Sequence, residues 1–230
     1  MTPAPTIDPA GDAAGRYDAW FDTGWGACAW TIESTAIIDA LGSLAGQRII
    51  DVGCGAGRLL VRLRAGGARA IGVDIDAGML NRAATRAPGG LAQEDARRLP
   101  LPNDSVDAAV AITVLEFTDS PAAVLAEMAR VTRPGGQLVV GVLNPRSLWG
   151  WTDRERRHEA AWAGACFLPR ADLLGLGRRY GAPRVTGVLY GWRRMPRPHT
   201  WGPVLGRLSR LAPRLGAFQL LTVDLPAGPP

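Results

Sequence analysis

At 230 residues with 47% hydrophobic content, the chain is long enough to bury the core of one large domain and short for two of average size. Its net charge of +5 rests on 26 basic residues, all arginine. These are scattered, apart from Arg154, Arg156 and Arg157 and again Arg193, Arg194 and Arg197, which argues against a nucleic-acid interface. Three cysteines without CxxC spacing and two distant histidines argue against a zinc site, and no metal is expected. The N-terminus lacks the basic start and apolar run of a signal peptide, and no stretch approaches the roughly 20 apolar residues of a membrane span. The expectation is a soluble, cytoplasmic protein.

Residues 1–16, rich in Pro and Gly, show no periodicity and read as a flexible tail, with order beginning near Tyr17. Over residues 31–44 the apolar positions Ile32, Ala36, Ile37, Ala40, Leu41 and Leu44 recur at three- and four-residue spacing, predicting an amphipathic helix closed by Gly46. The pattern then alternates. Strands are predicted over 48–52, 70–73, 91–94, 106–114 and 137–143, and helices from Arg58, over 77–87 after the capping Asp76, and over 121–131 after Ser120-Pro121. Arg133-Pro134-Gly135-Gly136 reads as the break between the last of these helices and the strand that follows. A helix over 170–179 and strands over 185–190 and 217–223 complete the chain. Short βα units of this kind build a doubly wound, mostly parallel α/β sheet of seven strands, covered by helices on both faces. Ligands bind such sheets at the carboxyl ends of the strands.

Asp51-Val52-Gly53-Cys54-Gly55-Ala56-Gly57 follows the first strand directly and is the most informative run in the chain. Three alternating glycines let the backbone turn sharply and admit a ligand closer than a Cβ would allow. Asp51 at its head would repel a pyrophosphate, so the loop suits a cationic cofactor portion. Asp74 ends the second strand, where a carboxylate can grip both hydroxyls of a ribose.

Asp51 to Gly57, Asp74, Glu94-Asp95-Ala96 and Arg133 to Gly136, in this order and spacing, resemble class I S-adenosylmethionine-dependent methyltransferases over about residues 17–145. Tyr17-Asp18-Ala19-Trp20-Phe21 and Leu115-Glu116-Phe117 are similar to the small-molecule branch that includes ubiquinone and menaquinone biosynthesis methyltransferases. The resemblance implies a Rossmann-like methyltransferase fold, S-adenosyl-L-methionine as cofactor, and in-line methyl transfer to a small-molecule or lipid-like acceptor. It further implies that Asp51, Gly53, Cys54, Gly55 and Gly57 surround the methionine portion and that Asp74 takes the ribose. Ile75 and Met79 then pack on the adenine, while Asp95 and the Ala96 N–H read its edge. Thr113 and Glu116 line the reaction site, Glu116 as a candidate base. A Glu-His pair is frequent in that family at this point; Phe117 stands in the second position here. Tyr17 and Trp20 head an aromatic segment, 17–45, read as a lid over the cofactor.

The acceptor is expected to meet two irregular segments, 145–168 and 192–216. Both are rich in Trp and Arg and suited to an apolar pocket with an anionic anchor, or to peripheral membrane contact. No obligate protein partner is indicated. Two alternatives stand beside methyl transfer: a cofactor-binding module without turnover, and a nicotinamide-dependent dehydrogenase, against which the GxGxG spacing and Asp51 both speak.

Overall fold

A computed structural model describes residues 13–22, 24–147, 165–189 and 215–228. Trp149, Trp151, Trp162, Trp192 and Trp201 lie outside these residues, as do most of the two irregular segments and residues 1–12 of the tail.

Seven strands form one sheet: β1 (Arg48–Val52), β2 (Arg69–Asp74), β3 (Leu91–Gln93), β4 (Val106–Ile112), β5 (Thr132–Leu143), β6 (Ala182–Val188) and β7 (Phe218–Asp224). Their spatial order is β3-β2-β1-β4-β5-β7-β6, with β1 to β5 parallel and β7 antiparallel to both its neighbours. Helices α1 (Ala13–Trp20), α2 (Gly24–Leu41), α3 (Arg58–Ala65), α4 (Ala77–Arg86), α5 (Pro121–Val131) and α6 (Arg170–Gly177) flank it. The order in which successive strands are added reverses between β1 and β4, the place where a sheet of this kind has a crevice at its carboxyl ends.

The alternation of strand residues creates two cores. Ile49, Val110, Val139 and Phe218 face one way and pack with Ile37 of α2 and Leu60 and Leu63 of α3. Ile50, Val52, Val140 and Leu221 face the other way and pack with Leu125 and Met128 of α5 and Leu173 of α6. Because both faces of the central strands are covered, those strands read as unbroken apolar runs in the sequence.

Most predicted elements are present; β6 starts at Ala182 and not at 185, and three further differences follow. First, α2 runs from Gly24 to Leu41 rather than over 31–44, and it ends where Gly42 turns with φ +71°, before Gly46. Its start escapes a period-based reading because Trp25, Cys28 and Ala29 bury a face with little polar contrast. Second, helix α1 begins at Ala13, ahead of Tyr17. Third, Arg133 to Gly136 does not separate a helix from a strand but lies inside β5. The register against β4 slips there, from Val106↔Thr132 to Ala108↔Gln137, so the four residues form a bulge. The bulge is held by Arg133 Nε donating to Asp107 Oδ1 at 2.7 Å and by Gly135 N–H donating to the Pro226 carbonyl. A side chain at Gly136 would meet the Asp107 carbonyl at 2.6 Å, which is why a glycine stands there.

Arginine supplies the other long-range ties. Arg64 on α3 donates to the carbonyls of Ala70, Ala87, Pro88 and Gly89, satisfying the end of α4 and fixing the turn into β3. Asp107 accepts from Arg48 and Arg133, whose guanidinium groups hold its carboxyl well below the usual carboxylate range.

Gly141 in β5 lies under Phe218, a fully buried ring, and a Cβ there would sit 2.1 Å from Phe218 Cζ and 2.9 Å from Ile112 Cδ1. Gly141→Ala is expected to lower stability by about 1–3 kcal/mol through overpacking. Denaturant unfolding measures it, and an unchanged midpoint would show that the ring can move aside.

Candidate functional site

The turn from β1 into α3 is glycine-built for three separate reasons. Gly53, Gly55 and Gly57 all have positive φ, at +70°, +51° and +77°. A Cβ on Gly53 would lie 2.2 Å from Val114 Cγ2, and one on Gly57 would press on Ala83 of α4 at 3.1 Å. Gly55 meets nothing within 4 Å, so its requirement is conformational, and its outer face is open. Gly53 and Cys54 both donate their N–H to the Val73 carbonyl, at 2.7 and 3.0 Å, binding the loop to the end of β2. Cys54 itself is buried and points into the core, where burial first and the neighbouring Asp51 second push its thiol up.

Asp74 closes this turn. Its Oδ2 accepts the Gly55 N–H at 2.7 Å and its Oδ1 accepts the Asp76 N–H at 2.9 Å. Each oxygen keeps capacity for a further donor, and the carboxylate is only half-buried. Ile75 beside it is 68% exposed, unusual for so large an apolar side chain. Met79 receives the Asp76 cap through its N–H, and its side chain is partly buried.

Asp51 is 2% exposed, and its Oδ2 has no hydrogen-bond partner. Burial first, and Asp74 second, push its carboxyl up to about 7. Asp95 lies two residues past Gln93, the partner of Asp74 in β3, but its carboxylate is engaged. Arg97 Nη2 donates to it at 2.7 Å, and the Arg97 N–H does so at 2.8 Å. That pairing holds it ionised, so an adenine amine would have to share an oxygen with Arg97. Ala96 packs against the core cluster below α5.

A second group of side chains gathers at the ends of β4 and β5. Thr113 has φ +52°, a strained conformation for a β-branched residue, held by its N–H donating to the Gly141 carbonyl at 2.8 Å. Its hydroxyl is hydrogen-bonded to that of Tyr17 on α1. Glu116 is 1% exposed; its Oε1 accepts the Leu143 N–H at 2.8 Å, and its Oε2 has no partner. Burial pushes its carboxyl up to about 7. Glu33 of α2 is 8% exposed, and burial first and the charge of Glu116 second push it up to about 8.

Glu33 was not among the residues expected from the sequence, although a signal is present. Ala29, Glu33, Ile37 and Leu41 recur every four residues and are all buried, so Glu33 is an acid on an apolar stripe.

Helix α1 is fixed by a buried ion-pair cluster. Asp18, 7% exposed, accepts from Arg58 Nε of α3 at 2.5 Å and from Arg86 Nη2 of α4 at 2.7 Å, and Arg58 also pairs with Asp22. Arg86 bonds the Ala56 carbonyl in the glycine loop as well. Of the aromatic residues expected as a lid, Tyr17 reaches the β4 end, whereas Trp20 and Trp25 pack on the core cluster and Phe21 stacks edge-on with Tyr17 and Trp20.

The Glu33 shift has a stability consequence. Its folded value lies above the ordinary value of 4.5, so the neutral form is favoured in the fold. The associated stability is complete below 4.5 and is lost as pH rises toward about 8, at most about 1.4 kcal/mol per pH unit. Glu33→Gln is therefore expected to match wild type in melting temperature near pH 5 and to exceed it by a growing margin toward pH 8. Parallel curves would refute the buried, neutral carboxyl.

Known proteins resemble the chain over the strands that carry these residues. Residues 50–140 match the family model described as a methyltransferase domain. A demethylmenaquinone methyltransferase of Renibacterium salmoninarum is 37% identical over 105 residues, 45% of this chain and 44% of that protein. A malonyl-[acyl-carrier protein] O-methyltransferase of Serratia marcescens is 32% identical over 169 residues, 70% of this chain and 61% of that protein. The chain thus spans less than half the length of the first of these relatives and about three fifths of the second. A Thermotoga maritima SAM-dependent methyltransferase, described as a possible histamine N-methyltransferase, superposes with a TM-score of 0.72 at 24% identity, covering 91% of this chain and 95% of its own.

Proposed function

We propose that the chain is a class I S-adenosylmethionine-dependent methyltransferase, as the methyltransferase-domain match over residues 50–140 supports, and that it transfers a methyl group from S-adenosylmethionine to a small-molecule acceptor. The observation that carries the proposal is the pairing of an open glycine turn with Asp51, whose buried Oδ2 lacks a partner, and Asp74, whose oxygens keep spare acceptor capacity. The residues fit the cofactor. Asp51 would meet the ammonium of the methionine portion directly or through water, Gly55 would leave room for its backbone, Asp74 would take the ribose hydroxyls, and exposed Ile75 would cover the adenine. When bound, the cofactor supplies a methyl group already activated on a sulfonium.

The protein's task is then alignment and exclusion of water, and proximity of this kind is worth up to about 7–11 kcal/mol. Thr113, held in a strained turn and bonded to Tyr17, presents a rigid wall at the end of β4. The Asp18 cluster keeps α1, and with it Tyr17, over that wall. Asp95 contributes less to adenine recognition than its position suggests, because Arg97 already occupies it. A lipid-like acceptor, peripheral membrane contact through the arginine- and tryptophan-rich segments, and a cytoplasmic setting belong to the same proposal. No helix among the described residues is long and apolar enough to cross a membrane.

Asp74→Asn is expected to weaken S-adenosylmethionine binding about tenfold or more, since it removes a charge-assisted acceptor worth about 1.5–3 kcal/mol. Titration calorimetry measures this, with the melting temperature as a check on the fold. Unchanged affinity would sink the proposal.

A further inference from the structure

We infer that Asp18 on α1 is a positioning residue for the cofactor. Through Arg86 and Arg58 it sets the second half of the glycine loop, so that docking of α1 and binding of the cofactor reinforce each other. This deepens the methyltransferase reading above and rests on it.

The glycine loop is held from two directions. On one side Asp74 accepts the Gly55 N–H at 2.7 Å. On the other, the Ala56 carbonyl accepts from Arg86 Nη1 at 2.5 Å, and Arg58, the first residue of α3, comes directly after Gly57. Both arginines end on one carboxylate. Asp18 Oδ2 accepts from Arg86 Nη2 at 2.7 Å and Asp18 Oδ1 from Arg58 Nε at 2.5 Å, while Arg58 Nη2 also donates to the Asp18 carbonyl at 2.8 Å. A side chain 40 positions away from Arg58 thereby fixes the residues on either side of Gly57.

The Ala56–Gly57 peptide is the point where this matters. It stands between two residues of positive φ, Gly55 at +51° and Gly57 at +77°, where the backbone has many other conformations open to it. Its N–H donates to the Cys54 carbonyl at 2.9 Å, and its carbonyl is held by Arg86. Arg86 is the last residue of α4, its side chain is 31% exposed, and Asp18 is the carboxylate it pairs with among the described residues. Without the Asp18 charge, water competes for the guanidinium, and the carbonyl of Ala56, a residue 7% exposed, loses its donor.

Helix α1 depends on the same contacts. At 8 residues it is shorter than the roughly 12–15 that a helix needs to persist alone in water, so tertiary contacts keep it. Besides the Asp18 pairs, these are the ring of Phe21, 5.6 Å from the Arg58 guanidinium, and the Trp20 carbonyl, which lies where a Cβ on Gly26 of α2 would stand. A ligand that selects the loop geometry imposed by Arg86 favours docked α1, and by linkage docked α1 favours the ligand by the same factor.

Titration calorimetry of S-adenosylmethionine and S-adenosylhomocysteine with wild type, Asp18→Asn, Arg86→Gln and the double variant tests the route. Each single variant is expected to bind both ligands about tenfold more weakly, and the double variant to be no more than about twofold weaker than either, because one link is broken in all three. Losses that multiply to about a hundredfold overturn the inference. So does an Asp18→Asn affinity equal to that of wild type, even with a lowered melting temperature, since the pair would then be a structural tie alone. A second arm needs no variant: trypsin cleavage after Arg16, an exposed residue of α1, is followed by mass spectrometry as loss of residues 1–16 from wild type. Saturating S-adenosylhomocysteine is expected to slow that loss about tenfold, the reciprocal of the affinity change, and an unchanged rate overturns the inference. Wild type that binds neither ligand sinks the methyltransferase reading itself.

Discussion

The carboxylate of Asp74 is the junction on which the crevice depends. One oxygen holds the Gly55 N–H and the other the Asp76 N–H, so a single side chain sets both the glycine loop after β1 and the turn that starts α4. Asp76 in turn accepts from Gly78 and Met79, continuing the chain of backbone donors into the helix. Three strand ends are thereby held in one arrangement, because Glu94 at the end of β3 also donates its N–H to the Asp74 carbonyl. A ligand that binds Asp74 meets a scaffold already in place.

Around that junction the fold tolerates an unusual number of buried carboxyls. Asp51, Glu33 and Glu116 are each less than a tenth exposed, and burial is the largest cause of the raised value in all three. The contrast with Asp18 and Asp107 is informative. Those two meet arginines at the outer edges of the site and the sheet, where the ion pairs join helices and strand ends. Asp51, Glu33 and Glu116 meet no arginine among the described residues, and burial favours their neutral forms.

The arginines divide between two tasks. Arg64 and Arg130 gather carbonyls at element ends, Arg130 reaching those of Leu99 and Leu101 while pairing with Glu127. Arg58 and Arg86 connect α1 to the body of the fold. With no lysine in the chain, the planar fork of arginine carries every one of these multidentate contacts.

The amino-acid sequence by itself determined the order and type of the elements, because central strands covered on both faces must be continuous apolar runs and helices must alternate with them. It also determined the glycine loop with Asp51 and Asp74, since local turn chemistry demands those residues at fixed spacing. Bounds were less legible where a tertiary contact overrode a local signal. Arg133 to Gly136 reads as a break but is a bulge, because Asp107 and Pro226 supply partners that no local pattern contains. Only the tertiary structure decided which acids are buried: Glu33 lies on α2, which packs on β5 and β7, and Glu116 past β4 is tied to Leu143 at the end of β5. The strain at Thr113, the engagement of Asp95 by Arg97 and the orphaned oxygens of Asp51 and Glu116 arise likewise from burial and long-range neighbours, which a linear pattern does not encode.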